Sequence, residues 1–342
     1  MQNKKKNMVM VAGGAGYIGS HTTVELIAAG YDVVIVDNLS NSEMSAVEGV
    51  RKITGVDVPF EKVDCCDIEA LRRVYMKYDF DSVIHFAASK AVGESVEKPM
   101  LYYKNNLTSF MNVIELMHQY GRHNIVFSSS CTVYGEPDQQ PVTERTPRKP
   151  ATSPYGNTKQ ISEDILRDCV YAYKDLKGIA LRYFNPIGAH PSAIIGEQPR
   201  GVPQNLVPYL TQTAAGIREC LSIFGTDYPT PDGSCIRDYI DVTDLAKAHV
   251  VAIGRMINGK NKQNYEVFNI GTGRGVSVLE LVKGFERVNG VKVNHKVTGR
   301  REGDITAIWA DPTLANEELG WRAEKTLDET LASAWKWQQT LK

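Results

Sequence analysis

The chain has 342 residues, with 39 Lys and Arg against 40 Asp and Glu and a formal net charge of -1, so no electrostatic ground exists for expecting nucleic acid or an anionic membrane as partner. Its length allows one or two domains with an ample core, and no stretch reaches the roughly 20 apolar residues of a membrane span. The six cysteines form no CxxC pair, Cys65 and Cys66 are adjacent and ill-suited to a shared disulfide, and the seven histidines are scattered, which points to reduced thiols, no metal and a cytoplasmic protein.

The basic start, Met-Gln-Asn-Lys-Lys-Lys-Asn, reads as a solvated leader, because the apolar run behind it is too short for a signal peptide. That run, 8–12, is the first expected strand. Gly13, Gly16 and Gly19 follow, then a helical pattern through Val24, Leu26 and Ile27 closed by Gly30, then a second strand over 33–36 that ends at Asp37. Strand, glycines, helix, strand and acid in this order form a dinucleotide fingerprint. The glycines permit a tight turn and let backbone N–H groups reach a pyrophosphate, while the acid about 20 residues on can hold a ribose 2′-hydroxyl. A 2′-phosphate would meet its negative charge, so NAD is favoured over NADP.

The alternation continues with a third strand over 58–63 ending at Asp64, a helix capped by Asp67, a fourth strand over 82–88, a long helix over 99–120, and a fifth strand over 124–130 ending in hydroxyls. The segment Ser153-Pro-Tyr-Gly-Asn-Thr-Lys159 opens the next helix, with Pro154 in its first turn. Tyr155 and Lys159 then lie one turn apart on one face. An ammonium close to a phenol favours the phenolate, so this spacing can turn a tyrosine into a general base. A sixth strand follows over 178–183. Lys90, Ser130, Phe184 and Asn185 fall just beyond strand ends, where ligands bind in such sheets; Ser130 is thereby expected to meet Tyr155 in one cleft.

After Asn185 proline and glycine become frequent, and the elements less regular. A further strand is expected over 265–270, with closing helices over 311–320 and 327–341. Arg237, Arg300 and Arg301 carry forks suited to phosphate oxygens, although for either site alone pairing with a neighbouring acid is the commoner arrangement. The fold class expected is α/β: a Rossmann-type doubly wound parallel sheet over 1–185, rejoined by a later strand from 238–270, with a smaller α/β substrate lobe over 186–342.

The glycine pattern together with Tyr155-x-x-x-Lys159 resembles the extended short-chain dehydrogenase/reductase family, and the likeness covers nearly the whole chain. It is carried further by 85–95 (His-Phe-Ala-Ala-Ser-Lys-Ala-Val-Gly-Glu-Ser), 128–135 (Ser-Ser-Ser-Cys-Thr-Val-Tyr-Gly), 182–191, 227–239 and 300–304, which are similar to the nucleotide-sugar 4-epimerases of that family. The resemblance implies interconversion of UDP-glucose and UDP-galactose by oxidation and reduction at C4 through a 4-keto sugar, with tightly bound NAD and a homodimer formed through the helices near 99–120 and 154–175. It implies that Tyr155 is the base, Lys159 its partner and ribose ligand, and Ser130 the hydroxyl beside the sugar O4. With these three, Gly13, Gly16, Tyr17, Ile18, Gly19, Asp37, Asn38, Ser42, Asp64, Cys65, Phe86, Lys90, Asn105 and Phe184 would line the NAD site. Asn185, Asn205, Phe224, Arg237, Arg301, Asp304 and Ile308 would hold the UDP-sugar, the arginines on the diphosphate and the carboxylate on a ribose hydroxyl.

Cys131 stands where many relatives have Ala. Ile308 occupies a position where a large aromatic goes with exclusion of N-acetylhexosamines and a small residue with their admission, which leaves acceptance of such sugars open. Related 4,6-dehydratases need an acid and a base near C5 and C6, as an Asp-Glu pair behind the serine or threonine. Cys131 and Thr132 stand there instead, which argues against dehydration. A cofactor-binding sensor without turnover would have no use for the intact Ser130, Tyr155 and Lys159.

Overall fold

The structure is a computed structural model that describes residues 7–301 and 303–341. The basic leader over residues 1–6 lies outside the described residues, as does Glu302.

Short runs rich in Val and Ile, closed by Gly, Asp or Ser, become the buried strands. In chain order come β1 (Met8–Ala12), α1 (Tyr17–Ala28), β2 (Asp32–Asp37), α2 (Met44–Thr54), β3 (Phe60–Lys62), α3 (Ile68–Lys77), β4 (Ser82–His85), α4 (Val92–Glu97), α5 (Pro99–Gln119), β5 (Asn124–Ser128), α6 (Pro154–Ala172) and β6 (Lys177–Tyr183). There follow β7 (Asn185–Ile187), α7 (Leu206–Ala214), β8 (Leu221–Phe224), β9 (Ile236–Asp241), α8 (Val242–Ile257), β10 (Tyr265–Ile270), β11 (Gly275–Ser277), α9 (Val278–Asn289), β12 (His295–Thr298), β13 (Ala307–Ile308) and α10 (Leu327–Gln338).

Seven strands form one parallel sheet in the order β10-β6-β5-β4-β1-β2-β3. This is the Rossmann-type α/β fold the sequence predicts, and its strand order reverses between β1 and β4, where such sheets bind ligands. Alternate residues of each strand feed opposite faces. Val9, Val11, Ile35, Ile84, Val126 and Ile179 share one apolar core with Leu26 of α1 and Leu245 and Ile253 of α8. Met10, Val34, Val83, Ile125 and Phe127 share the other with Leu71, Phe110, Val113 and Leu166 from α3, α5 and α6.

The segments after Asn185 make two smaller sheets. In one, β9 is flanked by β11, β13 and β7; in the other, β8 pairs with β12. Within the expected returning segment, only Tyr265–Ile270 joins the large sheet, while Ile236–Asp241 belongs to a small one.

Several boundaries differ from expectation for local reasons. The third strand shrinks to Phe60–Lys62, because Pro59 has no N–H to donate and offers only its carbonyl to Ile35. The fourth ends at His85, where Phe86 and Ala87 both turn their N–H groups onto the Ala12 carbonyl. The fifth ends at Ser128, and Ser130 instead caps a 3₁₀ turn over Cys131–Tyr134. The helix expected over 311–320 is a single π-helical turn, Ala315–Leu319, stopped by Gly320 at φ 73°. The last helix stops at Gln338 rather than 341. Asp67 caps α3 as expected, accepting from Glu69 N and Ala70 N at 3.1 and 3.0 Å.

Candidate active site

Gly13 adopts φ +80°, and a Cβ there would lie 2.7 Å from Ala87 N; a Cβ on Gly19 would collide with the Gly13 carbonyl oxygen. The turn between β1 and α1 can therefore be closed this tightly only by glycine. Gly16 stands at the N-cap of α1 and gives its first turn no side-chain acceptor. The N–H groups of Tyr17 and Ile18 thus open the positive end of the helix to an outside anion. These features fit a dinucleotide pyrophosphate.

At the carboxyl end of β2, Asp37 accepts from Ala15 N at 3.1 Å, Leu39 N at 2.9 Å and Ser42 Oγ at 2.8 Å. It is thereby fixed against the glycine turn with Ser42 beside it. Asn38 donates to Asp64 at 3.0 Å, and Asp64 accepts from Cys66 N at 2.8 Å. Cys65 is buried beside this pair, and burial pushes its thiol up, so it stays protonated. Asn105 reaches Ser89 Oγ at 3.3 Å. Phe86 packs against His249 with ring centroids 4.7 Å apart, and Lys90 lies 5.9 Å from the Tyr17 ring centroid. Sequence reasoning missed Asn112 on α5, whose amide binds the carbonyls of Cys65 and Cys66 at 2.9 and 3.0 Å and sets their loop; nothing in its spacing announces that.

α6 begins at Pro154 with Ser153 as its cap, accepting from Gly156 N at 3.1 Å. Tyr155, Lys159 and Glu163 follow at four-residue intervals, and all three are buried. Lys159 Nζ lies 5.8 Å from the Tyr155 ring centroid and 4.9 Å from that of Phe127, and donates to the Ser128 carbonyl at 2.6 Å. Ser130 Oγ accepts from Thr132 N at 3.2 Å and lies close enough to Tyr155 to act on its phenol, although the two are far apart in sequence. The electrostatics depart from the simple Tyr–Lys couple. Burial raises the Tyr155 phenol well above its ordinary value, with Tyr183 adding to the rise and the nearby Ser130 hydroxyl opposing it. Burial also lowers Lys159 to about 7, against the opposing charge of Glu163. Desolvation, invisible in a spacing rule, penalises both charged forms.

A stability test follows from Lys159. Its folded value lies below the ordinary 10.5, so between these two values the unfolded chain binds the extra proton and stability rises with pH. Below about 7 both states are protonated and the desolvation cost stands in full. Lys159→Met should therefore gain more stability at pH 6 than at pH 9, the two gains differing by about 2–3 kcal/mol in urea unfolding. Equal effects at both pH values would show that Lys159 does not titrate in this window.

Across the cleft, β9 and β13 pair in parallel, with Arg237 in register with Ile308. Arg301 grips Asp304 with both ends of its fork, at 3.2 and 2.7 Å, and Arg237 approaches the same carboxylate at 3.7 Å. Arg301 also lies 5.4 Å from the Phe224 ring centroid. Arg301 thus pairs with the acid three residues along, as a neighbouring-acid pairing would have it, and Arg237 approaches that carboxylate from β9; Asp238, beside Arg237, is instead consumed by Thr272, Gly273 and Ala310. Arg300 points away and pairs with Asp227 at 2.9 Å. Ile308 is buried with Cys131, Phe184, Val133 and Ala310 in one apolar cluster next to Ser130. Asn185 lies in β7, opposite Tyr239 of β9, and Asn205 caps α7 and donates to Glu197 at 2.6 Å.

Comparison with known proteins agrees with this arrangement. A family model described as GDP-mannose 4,6 dehydratase matches residues 10–334. The chain is 51% identical over 332 residues to UDP-glucose 4-epimerase of Bacillus subtilis, covering 97% of each chain. It is 48% identical to the Homo sapiens UDP-glucose 4-epimerase, covering 97% of this chain and 96% of the relative. The crystal structure of UDP-glucose 4-epimerase from Bifidobacterium longum in complex with NAD+ and UDP superposes with a TM-score of 0.94 at 46% identity, covering 98% of this chain and 99% of that one. Cys131 and Thr132, neither of them a carboxylate, follow Ser130, and each of these relatives and solved structures is a UDP-glucose 4-epimerase by name. An enzyme fold with a buried Ser–Tyr–Lys set, a glycine turn for a dinucleotide and paired arginines, this chain belongs to the UDP-glucose 4-epimerase family within the extended short-chain dehydrogenases/reductases.

Proposed function

We propose that the protein interconverts UDP-glucose and UDP-galactose at C4, with NAD retained as its cofactor. The observation that carries the reading is the close grouping of Ser130, Tyr155 and Lys159, with the Lys159 ammonium 5.8 Å from the Tyr155 ring centroid and all three shielded from water. Residues 1–185 with β10 form the cofactor part, and residues 186–342 mainly the nucleotide-sugar part.

When bound, NAD supplies a reversible two-electron acceptor for the hydrogen at C4, leaving a 4-ketose. The side chains named above for the glycine turn, Asp37 and the Cys65 loop would hold it. Tyr155 takes the proton of the 4-hydroxyl and gives it back, to either configuration of C4. Ser130 keeps the sugar oxygen and the phenol aligned. Lys159, as ammonium, is the chain's own charge favouring phenolate against the effect of burial. Arg237 and Arg301 suit the diphosphate, and Asp304 a ribose hydroxyl of the nucleotide. Anchoring there lets the hexose turn over within the pocket and present its other face.

The test is a product assay on purified protein given UDP-galactose with no added NAD. Appearance of UDP-glucose supports the reading; a requirement for free NAD in every turnover would overturn the retained cofactor.

The pocket beside Ile308 bears on N-acetylated sugars. Ile308, buried against Cys131 and Phe184, is smaller than an aromatic side chain at that position, and on that ground we infer that UDP-N-acetylhexosamines are taken as well. Ile308→Tyr should then cut turnover of UDP-N-acetylgalactosamine about 10–100-fold while sparing UDP-galactose. Equal loss on both sugars would remove this position as the gate.

The homodimer expected through α5 and α6 is supported by exposed Met100, Leu101 and Met111 on α5 and Tyr171 on α6; sedimentation of the purified chain decides it. Among the described residues no helix is long and apolar enough to cross a membrane, and no cysteine is in a disulfide, which supports a cytoplasmic setting.

A further inference from the structure

We propose that Glu197 is a positioning residue that couples the two halves of the cleft, through one carboxylate oxygen shared by Lys90 and Asn205. The inference rests on the reading of Lys90 as a cofactor-side residue and Asn205 as a nucleotide-sugar residue.

Glu197 Oε1 accepts from Lys90 Nζ at 3.0 Å and from Asn205 Nδ2 at 2.6 Å. Its side chain is only 10% exposed, so its charge depends on these partners. The two donors come from different parts of the fold. Lys90 sits in the loop between β4 and α4, next to the glycine turn, and Asn205 caps α7 in the later half. The main chain that carries this carboxylate is held from behind. Trp337 of α10 donates to the Glu197 carbonyl at 3.0 Å, and a Cβ on Gly196 would lie 2.5 Å from the Trp337 ring. Only glycine at 196 lets α10 press this closely on the segment that carries Glu197. Tyr17 completes the contact: its phenol donates to the Gly188 carbonyl at 2.6 Å, with the Lys90 ammonium near its ring.

An oxygen that accepts from two donors yields more strongly to one when the other leaves. A UDP-sugar that takes the Asn205 amide frees Oε1 for Lys90 alone, and the shorter ion pair fixes Lys90 against the cofactor side. Ligation at one part of the cleft is thereby felt at the other without a large movement, as a coupling free energy between sites.

The experiment measures exchange of bound NAD for labelled NAD on the purified holoenzyme, with and without saturating UDP. In the unaltered chain UDP should slow exchange about tenfold. Glu197→Gln keeps shape and a hydrogen-bond acceptor but removes the charge; in it the UDP effect should fall to within about twofold, while a thermal melt shows the fold intact. Glu197→Ala serves as the second variant and should also lose the effect. Persistence of the full UDP effect in both variants, or its absence in the unaltered chain, overturns the proposal. Lys90→Met and Asn205→Ala separate the two layers of the argument. Lys90→Met should speed NAD loss and Asn205→Ala should weaken UDP binding. If neither does, the assignment of the cleft itself fails, and the coupling with it. If both do and Glu197→Gln keeps the UDP effect, the coupling alone fails.

Discussion

Tyr155→Phe is expected to reduce turnover of UDP-galactose by about 10³-fold, within the range a positioned general base supplies, and to leave UDP binding nearly unchanged. The phenol is buried at 8% exposure, and its ring fills the same space as phenylalanine, so packing survives. The loss is confined to one oxygen, the one proposed above to receive the sugar proton. The stability effect should stay within about 1 kcal/mol, since a single hydroxyl is removed and the ring packing is kept. Steady-state kinetics and calorimetric titration with UDP separate the two parameters. Turnover within tenfold of the unaltered chain would mean that another group carries the proton.

The second large effect concerns the buried charge pair beneath that site. Glu163 accepts from Ser129 Oγ at 2.6 Å and binds the Arg182 fork at 2.9 and 2.7 Å. Arg182 in turn donates to Tyr134, whose phenol donates to Asn269 at 2.6 Å. Although burial works against its charge, the hydrogen bonds and charge of Glu163 hold the Arg182 guanidinium above its ordinary value. Glu163→Leu leaves that guanidinium buried and unpaired, and should cost about 3–5 kcal/mol. Glu163→Leu with Arg182→Met should cost much less than the two single changes together, because the double change removes both desolvation penalties. Chemical denaturation of the four proteins gives the cycle; strict additivity would show that the pair is not an energetic unit. The same carboxylate opposes the depression of Lys159, so the single variant should also lose activity at neutral pH, by depriving Lys159 of its ammonium form.

The contrast between these two sites shows how much of the molecule the sequence makes legible. The glycine turn, β1, β2 and Asp37 are read from local order, because each constraint there acts over a few residues: a Cβ that would clash, a helix start, an apolar run. Tyr155 and Lys159 are likewise one turn of one helix. Glu163 lies at the next four-residue step on that face, a signal that could have been followed but carried no chemistry until Arg182 was found opposite it. The convergence of Arg237, Arg301 and Asp304 is of another kind. It depends on β9 and β13 pairing across some 70 residues and on how the intervening chain packs, and it was reached by resemblance rather than by spacing. Helices α2, α4, α7, α8 and α9 escaped notice among readable strands, and Glu197 gives no sign of itself, since its partners lie 107 residues before and 8 after it. Burial was the quantity most consequentially absent: it reverses the expected shift of Tyr155.

The outer edge of β6 is covered by β10, with Gly178 opposite Tyr265 and Tyr183 opposite Ile270, and α8 supplies part of the apolar core beneath the glycine turn. A nascent chain released after residue 185 would thus emerge with an unclothed strand edge, ready to pair with any other. During synthesis the cofactor half cannot settle until residue 270 has left the ribosome, so the polypeptide reaches most of its length before it can retain a dinucleotide, and cutting the gene at the apparent boundary would yield two aggregating fragments rather than two working parts.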